Sequence, residues 1–466
     1  MKHGVIVTKQ ATSVVTPVAA NTGLPIFFGT APVQSAEKPA KAGIPVLCTS
    51  WAEAVEHLGY SDNWEKYTLC EAMYCHFKLY GCQPAIFCNV LDVSQTEVKE
   101  AEDMSTADHK VKLPIEAVAS TVVVNTQEKS PLVLDTDYAL YYENDALIIE
   151  LLKDSDSYGA AQLNVAYSKV NQVVTSSEIA TALEAVDQCM SLFGLTPDLL
   201  CAPGWSHESA LAAAMATKAE SINGLFKAKA LIDIDTTTAT DYTGAVSAKG
   251  KANLNDPAQV DCWPMFTLGD KKFHGSTQLA GLMASVDTDN GGIPYESPSN
   301  KGLKCDGLCL ADGTEVILTY QQANVLNMNG IVTGLNFITG WVAWGNYTGA
   351  YPASSDVVDY MLPVSRMFDF VNNTLVRTFW CKLDKPMNRR LIDTILDSAN
   401  IWLNGLVGQG YILGARVVMN EEENPLANLM AGIIKLHVYM TPPSPAQEID
   451  FVLEYDANYV TSALMA

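Results

Sequence analysis

The stretch DLLCAPGWSHESALAAAMATKAE, residues 198–220, joins an apolar run, a turn and an alanine-rich segment. Residues 199–202 are uncharged and short, which is typical of a buried strand, and Pro203 and Gly204 are turn residues. The segment 206–222 has the composition of a helix, and Gly224 provides a stop after it. This strand–turn–helix order predicts one unit of an α/β sheet.

The same alternation continues on both sides of this unit. Apolar runs predict further strands, and amphipathic spacing with Gly stops predicts further helices. The predicted strands are 24–29, 44–49, 84–91, 226–234 and 259–266. The predicted helices are one capped by Ser50 with Glu53, and those over 63–80, 179–193, 243–252 and 276–286. We therefore expect a sheet with helices packed on its faces.

Two regions depart from this pattern. Residues 100–172 are rich in short β-type runs, with Asn144 and Asp145 as a hairpin turn, and predict a small all-β insertion. The acidic stretch 97–108, at the start of this region, is interpreted as a solvated linker. Residues 354–466 predict an α+β region, with a helix over 387–406 and a strand over 432–440. After a Pro-rich hinge, residues 448–456 alternate apolar and mainly acidic side chains, which predicts a last strand whose apolar face needs a partner.

Composition excludes several classes of function. The 466 residues carry a net charge of -23, yet only 17% are charged and 48% are hydrophobic. Such an acidic chain lacks the basic face that phosphates or anionic membranes require, so neither nucleic acid nor membrane is an expected partner. No apolar run reaches a membrane-spanning length, and the first residues read poorly as a signal peptide, so synthesis in the cytoplasm is expected.

Eleven cysteines leave at least one thiol unpaired. Most lie in apolar runs, which favours reduced core thiols. The groups Cys70, Cys75 with His76, and Cys305 with Cys309, lack the paired spacing of structural zinc sites. No metal site is predicted.

Catalytic motifs are also missing. Gly204-Trp205-Ser206-His207-Glu208 lacks the second Gly of a nucleophile elbow, and its three polar residues are too close in sequence to form a triad. Ser206 is instead interpreted as a helix N-cap. There is no phosphate-binding Gly motif, and the Trp and Tyr residues of 340–351 favour core packing or subunit contact over sugar stacking. No catalytic residue and no cofactor is predicted.

The order of several phrases resembles contractile phage tail sheath proteins over nearly the whole chain. The stretches that carry the resemblance are TYQQANVLNMNGIVTGLNFITGWVAWGN (319–346), VSRMFDFVNNTL (364–375), FWCKLDKPMNRRLIDTILDSANIWLNGLVGQGYILGA (379–415) and NEEENPLANLMAGIIKLHVYMTPPSPAQEIDFVLEY (420–455). Upstream, HGVIVTKQ (3–10), FKLYGCQPAIFCNVL (77–91), LVLDTDYALYYENDALIIELL (132–152) and the opening stretch agree. One departure is Asn346-Tyr347, where sheaths often carry an Arg.

The resemblance implies a structural subunit that polymerises as a helical sheath around an inner tail tube and contracts to drive the tube through a target envelope. Its partners would be itself, the tube protein, and the baseplate and tail terminator proteins, in the tail of a virion. It also implies arms at both chain ends that add strands to neighbouring subunits. The arm residues implied are Val5, Ile6, Val7, Ile449, Phe451, Leu453 and Tyr455.

The expected fold class is a multidomain α+β and α/β protein. Its expected parts are an N-terminal arm (1–20), an N-terminal α/β part (21–99), an inserted small β-domain (100–172), an α/β middle domain (173–353), a C-terminal α+β sheath domain (354–446) and a C-terminal arm strand (447–466). Asn388, Arg389 and Arg390 are candidate tube-facing residues, because a basic pair stands out in an acidic chain.

Three alternatives stay open at this stage. One is the sheath of a headless, bacteriocin-like injection particle. Another is a hydrolase-like enzyme on the α/β middle domain, which rests on fold-level likeness alone. The third is another polymeric coat such as a surface-layer protein, which would favour a signal peptide.

Overall fold

The computed structural model describes residues 15–465. Those residues form nineteen strands and thirteen α-helices. The strands are β1 (Pro25–Gly29), β2 (Pro45–Cys48), β3 (Ala85–Asn89), β4 (Thr96–Ser105), β5 (Lys110–Pro114), β6 (Val123–Thr126), β7 (Tyr138–Glu143), β8 (Ala146–Leu151), β9 (Gln162–Val170), β10 (Leu199–Cys201), β11 (Lys229–Asp233), β12 (Gln259–Cys262), β13 (Met265–Leu268), β14 (Lys271–Phe273), β15 (Gly307–Cys309), β16 (Ile331–Asn336), β17 (Trp341–Trp344), β18 (Gly414–Val418) and β19 (His437–Thr441). The helices are α1 (Trp51–Leu58), α2 (Thr68–Met73), α3 (Ser176–Ala182), α4 (Ala185–Phe193), α5 (Ser209–Glu220), α6 (Tyr242–Ala252), α7 (Gly275–Asp289), α8 (Tyr320–Asn327), α9 (Val357–Tyr360), α10 (Leu362–Phe379), α11 (Arg389–Gly408), α12 (Leu426–Met430) and α13 (Asn458–Leu464).

Eight strands form one sheet in the order β17, β16, β12, β11, β10, β1, β3, β2. The strands from β16 to β3 are parallel to their neighbours, while β17 and β2 are antiparallel at the two edges. Every residue of β1, β3, β11 and β12 is buried, which requires cover on both faces of the sheet. The predicted α/β sheet is confirmed, and we call this sheet with its helices the body.

Two predicted helices have different bounds. The helix predicted over 63–80 begins at Thr68, because residues 64–66 form a turn that Asn63 closes with its side chain, and from Tyr74 to Leu79 it widens into a π-helix. The helix predicted over 179–193 is divided into α3 and α4, since the N–H groups of residues 183 and 184 bond three residues back. Gly194 ends α4 with φ 68°, as its position predicted.

The β-rich segment forms two three-stranded sheets, β4-β9-β6 and β5-β8-β7, around an apolar cluster of its own. Asn144 and Asp145 adopt positive φ in the two-residue β7–β8 turn, which confirms that hairpin. The solvated linker predicted over 97–108 is wrong, because β4 occupies most of it and pairs with β9. Most β4 side chains are exposed, so the segment has the polar composition of a loop even though its backbone pairs with β9.

The C-terminal region packs α10 and α11 against the β18–β19 hairpin. The predicted helix over 387–406 is α11, and the strand predicted over 432–440 begins only at His437. The last strand, predicted over 448–456, is absent from the described single chain. Its apolar side chains are exposed because no neighbouring strand covers them: Ile449 by 71%, Phe451 by 82%, Leu453 by 95% and Tyr455 by 80%.

Among residues 15–465, no helix combines the length and the apolar character that crossing a membrane requires.

Candidate functional site

Ser206 does not cap a helix, contrary to the sequence interpretation. Helix α5 begins at Ser209, and the side chain of Ser206 is fully buried. Its Oγ donates to Asp233 Oδ2 at 3.0 Å and accepts the N–H of Asp233 at 3.0 Å. The Asp233 carboxylate also accepts the N–H and the hydroxyl of Ser276. Ser206 therefore ties the β10 turn to β11 and α7, and its hydroxyl is held inside the body.

A small cleft of about 150 Å³ lies at the carboxyl ends of β10, β11 and β12, the edge where α/β proteins bind ligands. His274 lines it and makes an ion pair with the buried Glu71, Nδ1 to Oε2, at 2.7 Å. Burial opposes protonation, but the charge of Glu71 and its hydrogen bond prevail and raise the pKa of His274 to about 9. Within residues 15–465, no group of three His, Cys, Asp or Glu side chains could hold a metal ion.

The cysteines are all unpaired thiols, and nine of the eleven are buried. Burial raises the pKa of Cys70 to about 12, which leaves it a protonated thiol. Only Cys381, just after α10, is exposed in the described chain. Most of the cysteines therefore serve as core residues, as their apolar surroundings predicted.

Helix α10 joins the C-terminal region to the body through buried ion pairs. Arg366 Nη1 lies 3.0 Å from Asp287 Oδ1, and Nη2 lies 2.9 Å from Asp198 Oδ2. Burial, together with the charge of Asp287, raises the pKa of Asp198 to about 6, although Arg366 opposes the shift. One turn away, Lys229 Nζ lies 2.9 Å from Asp369 Oδ2. A signal for this region was present in the sequence: all five arginines fall within residues 366–416.

The described part of the predicted N-terminal arm lies against its own chain. The N–H groups of Val18 and Ala20 donate to the hydroxyls of Thr378 and Thr374, one turn apart on α10, at 3.0 and 3.1 Å. The N–H of Val15 donates to Ser398 Oγ on α11 at 2.9 Å. The Thr-x₃-Thr spacing was not recognised in the sequence. The predicted arm residues Val5, Ile6 and Val7 lie outside the described residues.

The aromatic run at 340–351 contacts Gln447, the first residue of the C-terminal tail. Tyr347 stacks on Tyr351 with ring centroids 4.0 Å apart, and its hydroxyl donates to Gln447 Oε1 at 2.6 Å. Gln447 Nε2 also lies 3.4 Å from Met361 Sδ. Beyond this contact, residues 448–456 are exposed. The aromatic run thus packs internally and marks where the tail leaves the folded chain.

The two outer edges of the β18–β19 hairpin differ. At β18, Asn400 on α11 accepts the N–H of Val417 at 2.8 Å and donates Nδ2 to its carbonyl at 2.9 Å. The Asn400 amide thereby takes the place of a peptide unit in a neighbouring strand. Within residues 15–465, nothing hydrogen-bonds to the outer edge of β19. Sequence reasoning did not find Asn400, because a single Asn inside a helix carries no recognisable pattern.

The three candidate tube-facing residues stand at the exposed start of α11. Asn388 is the N-cap, and its Oδ1 accepts the Leu391 N–H at 2.9 Å. Arg389 pairs with Asp393, Nε to Oδ1, at 2.9 Å, and its side chain is 85% exposed. Arg390 is exposed and has no ion pair within the described residues. Two of the three side chains therefore already have partners within the chain.

Comparison with known proteins adds a sequence relationship. No family model matches the chain. It is 24% identical over 459 residues to the tail sheath protein of Burkholderia phage BcepMu, covering 93% of this chain and 92% of that protein. It is 25% identical over 300 residues to the tail sheath protein of Escherichia phage P2, covering 60% of this chain and 70% of that protein.

The fold is shared with solved sheath structures. The helical sheath of the anti-feeding prophage in its contracted state matches with a TM-score of 0.59 and 16% identity, over 97% of this chain and 99% of that chain. The sheath tail protein from Desulfitobacterium hafniense matches with a TM-score of 0.54 and 12% identity, over 89% and 93%. The chain is thus similar in sequence to tail sheath proteins along nearly its whole length, and it shares the fold of solved contractile sheaths.

Proposed function

We propose that this chain is the structural subunit of a contractile sheath, which polymerises helically around an inner tube and shortens to drive that tube through a target envelope. The observation that carries the proposal is an exposed C-terminal tail with alternating apolar residues, on a chain whose β19 edge has no hydrogen-bond partner within residues 15–465. Both features are costly in a monomer and are satisfied in a polymer.

The subunits join by exchanging strands at both chain ends. Residues Ile449, Phe451, Leu453 and Tyr455 alternate with mainly acidic residues along the tail, and each is at least 71% exposed. When the tail adds to a sheet of a neighbour, main-chain hydrogen bonds and burial of these side chains stabilise the contact. The N-terminal residues Val5, Ile6 and Val7 make the equivalent contact in a different neighbour.

The tube contacts the exposed start of α11, through Asn388, Arg389 and Arg390. Arg390 is the strongest candidate of the three, because Asp393 already neutralises Arg389 and the side-chain oxygen of Asn388 caps the helix. We expect Arg390→Glu to reduce assembly on purified tubes, whereas Lys153→Glu, on the β-rich segment, should leave it unchanged. Normal assembly of the Arg390→Glu variant on tubes would contradict this placement.

The division of labour follows the predicted domains: arms at 1–20 and 447–466, an α/β body from 21–99 and 173–353, an inserted β-domain at 100–172 and a C-terminal sheath domain at 354–446. Besides copies of itself, the chain contacts the baseplate, the tube and the tail terminator. It is synthesised in the host cytoplasm and works in the virion tail. Contraction requires no bond chemistry, since it converts one packing of rigid subunits into another with more buried interface.

A headless injection particle is the second candidate. The shared fold with the helical sheath of the anti-feeding prophage supports it. The two candidates differ in the particle and not in the role of the subunit.

The test is assembly of the purified full-length chain, viewed by negative-stain microscopy. We expect hollow helical tubes, and we expect deletion of residues 447–466 or of residues 1–14 to abolish them. The shorter N-terminal deletion is preferable to removing residues 1–20, because the segment from residue 15 packs against α10 and α11. Monodisperse monomers at high concentration, or tubes that persist without either arm, would overturn the proposal.

A further inference from the structure

The β-rich segment leaves one long strand edge uncovered. Strand β4 has ten residues, which makes it the longest strand of the described chain, and its one strand neighbour is β9. Within residues 15–465, no other backbone group bonds to β4. An edge of this length presents a row of free N–H and carbonyl groups to any extended chain that meets it.

The opposite edge of the same sheet is covered by the chain itself. The N–H of Leu132 donates to Val124 O at 2.9 Å, and the N–H of Thr126 donates to Ser130 O at 2.8 Å. Residues 130–132 therefore fold back over β6. Since β4 has no such cover, anything that protects it from pairing with another chain must lie in β4 itself.

The side chains of β4 are mainly acidic. Residues 97–103 contain four carboxylates and one lysine. Glu97 is neutralised by Lys99, at 2.5 Å, and by Lys169, at 3.5 Å. Glu100 and Glu102 are exposed and have no ion pair within residues 15–465. These two charges lie at the middle of the strand, where a second β4 in antiparallel pairing would place the same two charges.

A β-bulge lies at the same point of the strand. Lys99 is paired with Tyr167 and Glu102 with Val165, so Glu100 and Ala101 together face a single residue of β9. A bulge bends its strand and increases the local twist, so an added strand could not follow β4 with regular hydrogen bonds. The charges and the irregular backbone therefore act on the same stretch of edge.

We propose that Glu100, Glu102 and the bulge between them keep the β4 edge from pairing with β4 of a second copy of this chain. The inference does not rest on the sheath proposal, because an uncovered ten-residue edge favours association in any protein. Its consequence is greatest in a polymer, where many copies of the same edge are held close together. In such a polymer, β4 restricts the association of copies to other surfaces.

The test is disulfide trapping in the full-length chain, with Cys381 replaced by Ser. Val98, Ala101 and Ser105, which are all exposed, are replaced by Cys one at a time. Antiparallel pairing of two identical strands brings one position of each copy opposite itself, and only adjacent strands bring two cysteines within disulfide distance. Each probe is examined alone and with Glu100→Thr plus Glu102→Thr, after mild oxidation at 0.1 M salt.

We expect at least about a tenfold larger fraction of disulfide-linked dimer when both glutamates are replaced, because like charges that face each other across a contact oppose association strongly. Deleting Ala101 as well, with the probe at position 98 or 105, should increase that fraction further. The matched control is Glu128→Thr with Asp154→Thr, two exposed acidic residues in turns of the same segment. It changes the net charge equally and should leave the dimer at its starting level.

A second measurement keeps both glutamates. At 1 M salt the screening length falls from about 10 Å to about 3 Å, so the otherwise unsubstituted probe chains should also form the dimer. A dimer already present at 0.1 M salt with both glutamates in place would overturn the proposal, since the edge would then be open. Absence of dimer both in the glutamate variant and at 1 M salt would overturn it as well. A dimer in the control variant would assign the effect to net charge and not to β4.

Discussion

The β17 edge of the large sheet and the edges of the C-terminal hairpin differ in how their backbone groups are covered. In the body, residues 300–303 cover β17: the N–H of Asn300 donates to Ala343 O at 2.7 Å, and the N–H of Leu303 donates to Trp341 O at 3.0 Å. In the hairpin, one edge is bridged by the Asn400 amide, and the other has no hydrogen-bond partner within residues 15–465. An edge that the chain covers with its own backbone accepts no further strand. An edge without such cover provides a place for a strand of another chain.

The difference also appears in side chains. The body buries nearly all the apolar residues of its strands, whereas the tail beyond Gln447 exposes its own. The two regions are nevertheless joined by the buried ion pairs of α10. Arg366 and its carboxylate partners therefore tie α10 of the C-terminal region to the body.

The largest expected effect tests that junction. Arg366→Met leaves the carboxylates of Asp198 and Asp287 buried without their cation, and should lower the free energy of unfolding by about 3–5 kcal/mol in urea denaturation. The control is Arg416→Met, because Arg416 is exposed and stacks on Tyr439; it should cost no more than about 1 kcal/mol. Equal urea midpoints for the two variants would show that the junction does not stabilise the chain.

The second prediction concerns how the free energy of unfolding depends on pH, through a histidine of the body. The pKa of His274 is raised to about 9 in the folded chain from an ordinary 6.5, so its stabilisation is fully present below pH 6.5 and is lost as the pH rises through 9. Because a tenfold difference in proton affinity corresponds to about 1.4 kcal/mol, the free energy of unfolding should fall by about 3 kcal/mol across that window. His274→Gln should remove this component of the pH dependence. An unchanged slope in the variant would mean that His274 is not protonated in the folded chain.

The smallest effect on stability concerns the closed edge. Asn400→Ala should cost about 1 kcal/mol, because the Val417 backbone groups lose one partner each beside an open groove. Asn424→Ala, which removes a matching pair of bonds to Lys435 outside both strands, is the control for the loss of an Asn amide. A urea midpoint of the Asn400 variant equal to that of the unsubstituted chain would contradict the role of this amide.

Much of the fold could be predicted from the sequence, because buried parallel strands and amphipathic helices leave strong local patterns. The strand–turn–helix unit at 198–220 was found, as were most strands of the body. The errors arose where neighbours decide the outcome. Strand β4 has the sequence pattern of a loop, because its stability comes from backbone pairing with β9. Ser206 has the sequence position of a helix cap, although its hydroxyl bonds to Asp233.

The candidate site was predictable only in part. Alternation in residues 448–456 and the basic pair Arg389 and Arg390 are visible in the sequence. The hydroxyls of Thr374 and Thr378, the Asn400 amide and the Tyr347–Gln447 contact are not, because each joins groups that are distant in sequence or carry no special pattern.

The sequence by itself determined the acidic charge, the βα alternation and a last segment with one apolar side, since composition and periodicity are local properties. The resemblance of its ordered phrases to tail sheaths also needed no coordinates. Only the tertiary structure decided which sheet edges are covered, and that the outer edge of β19 has no hydrogen-bond partner within residues 15–465. Those properties arise from distant residues brought together by packing, so they exist only in the folded chain.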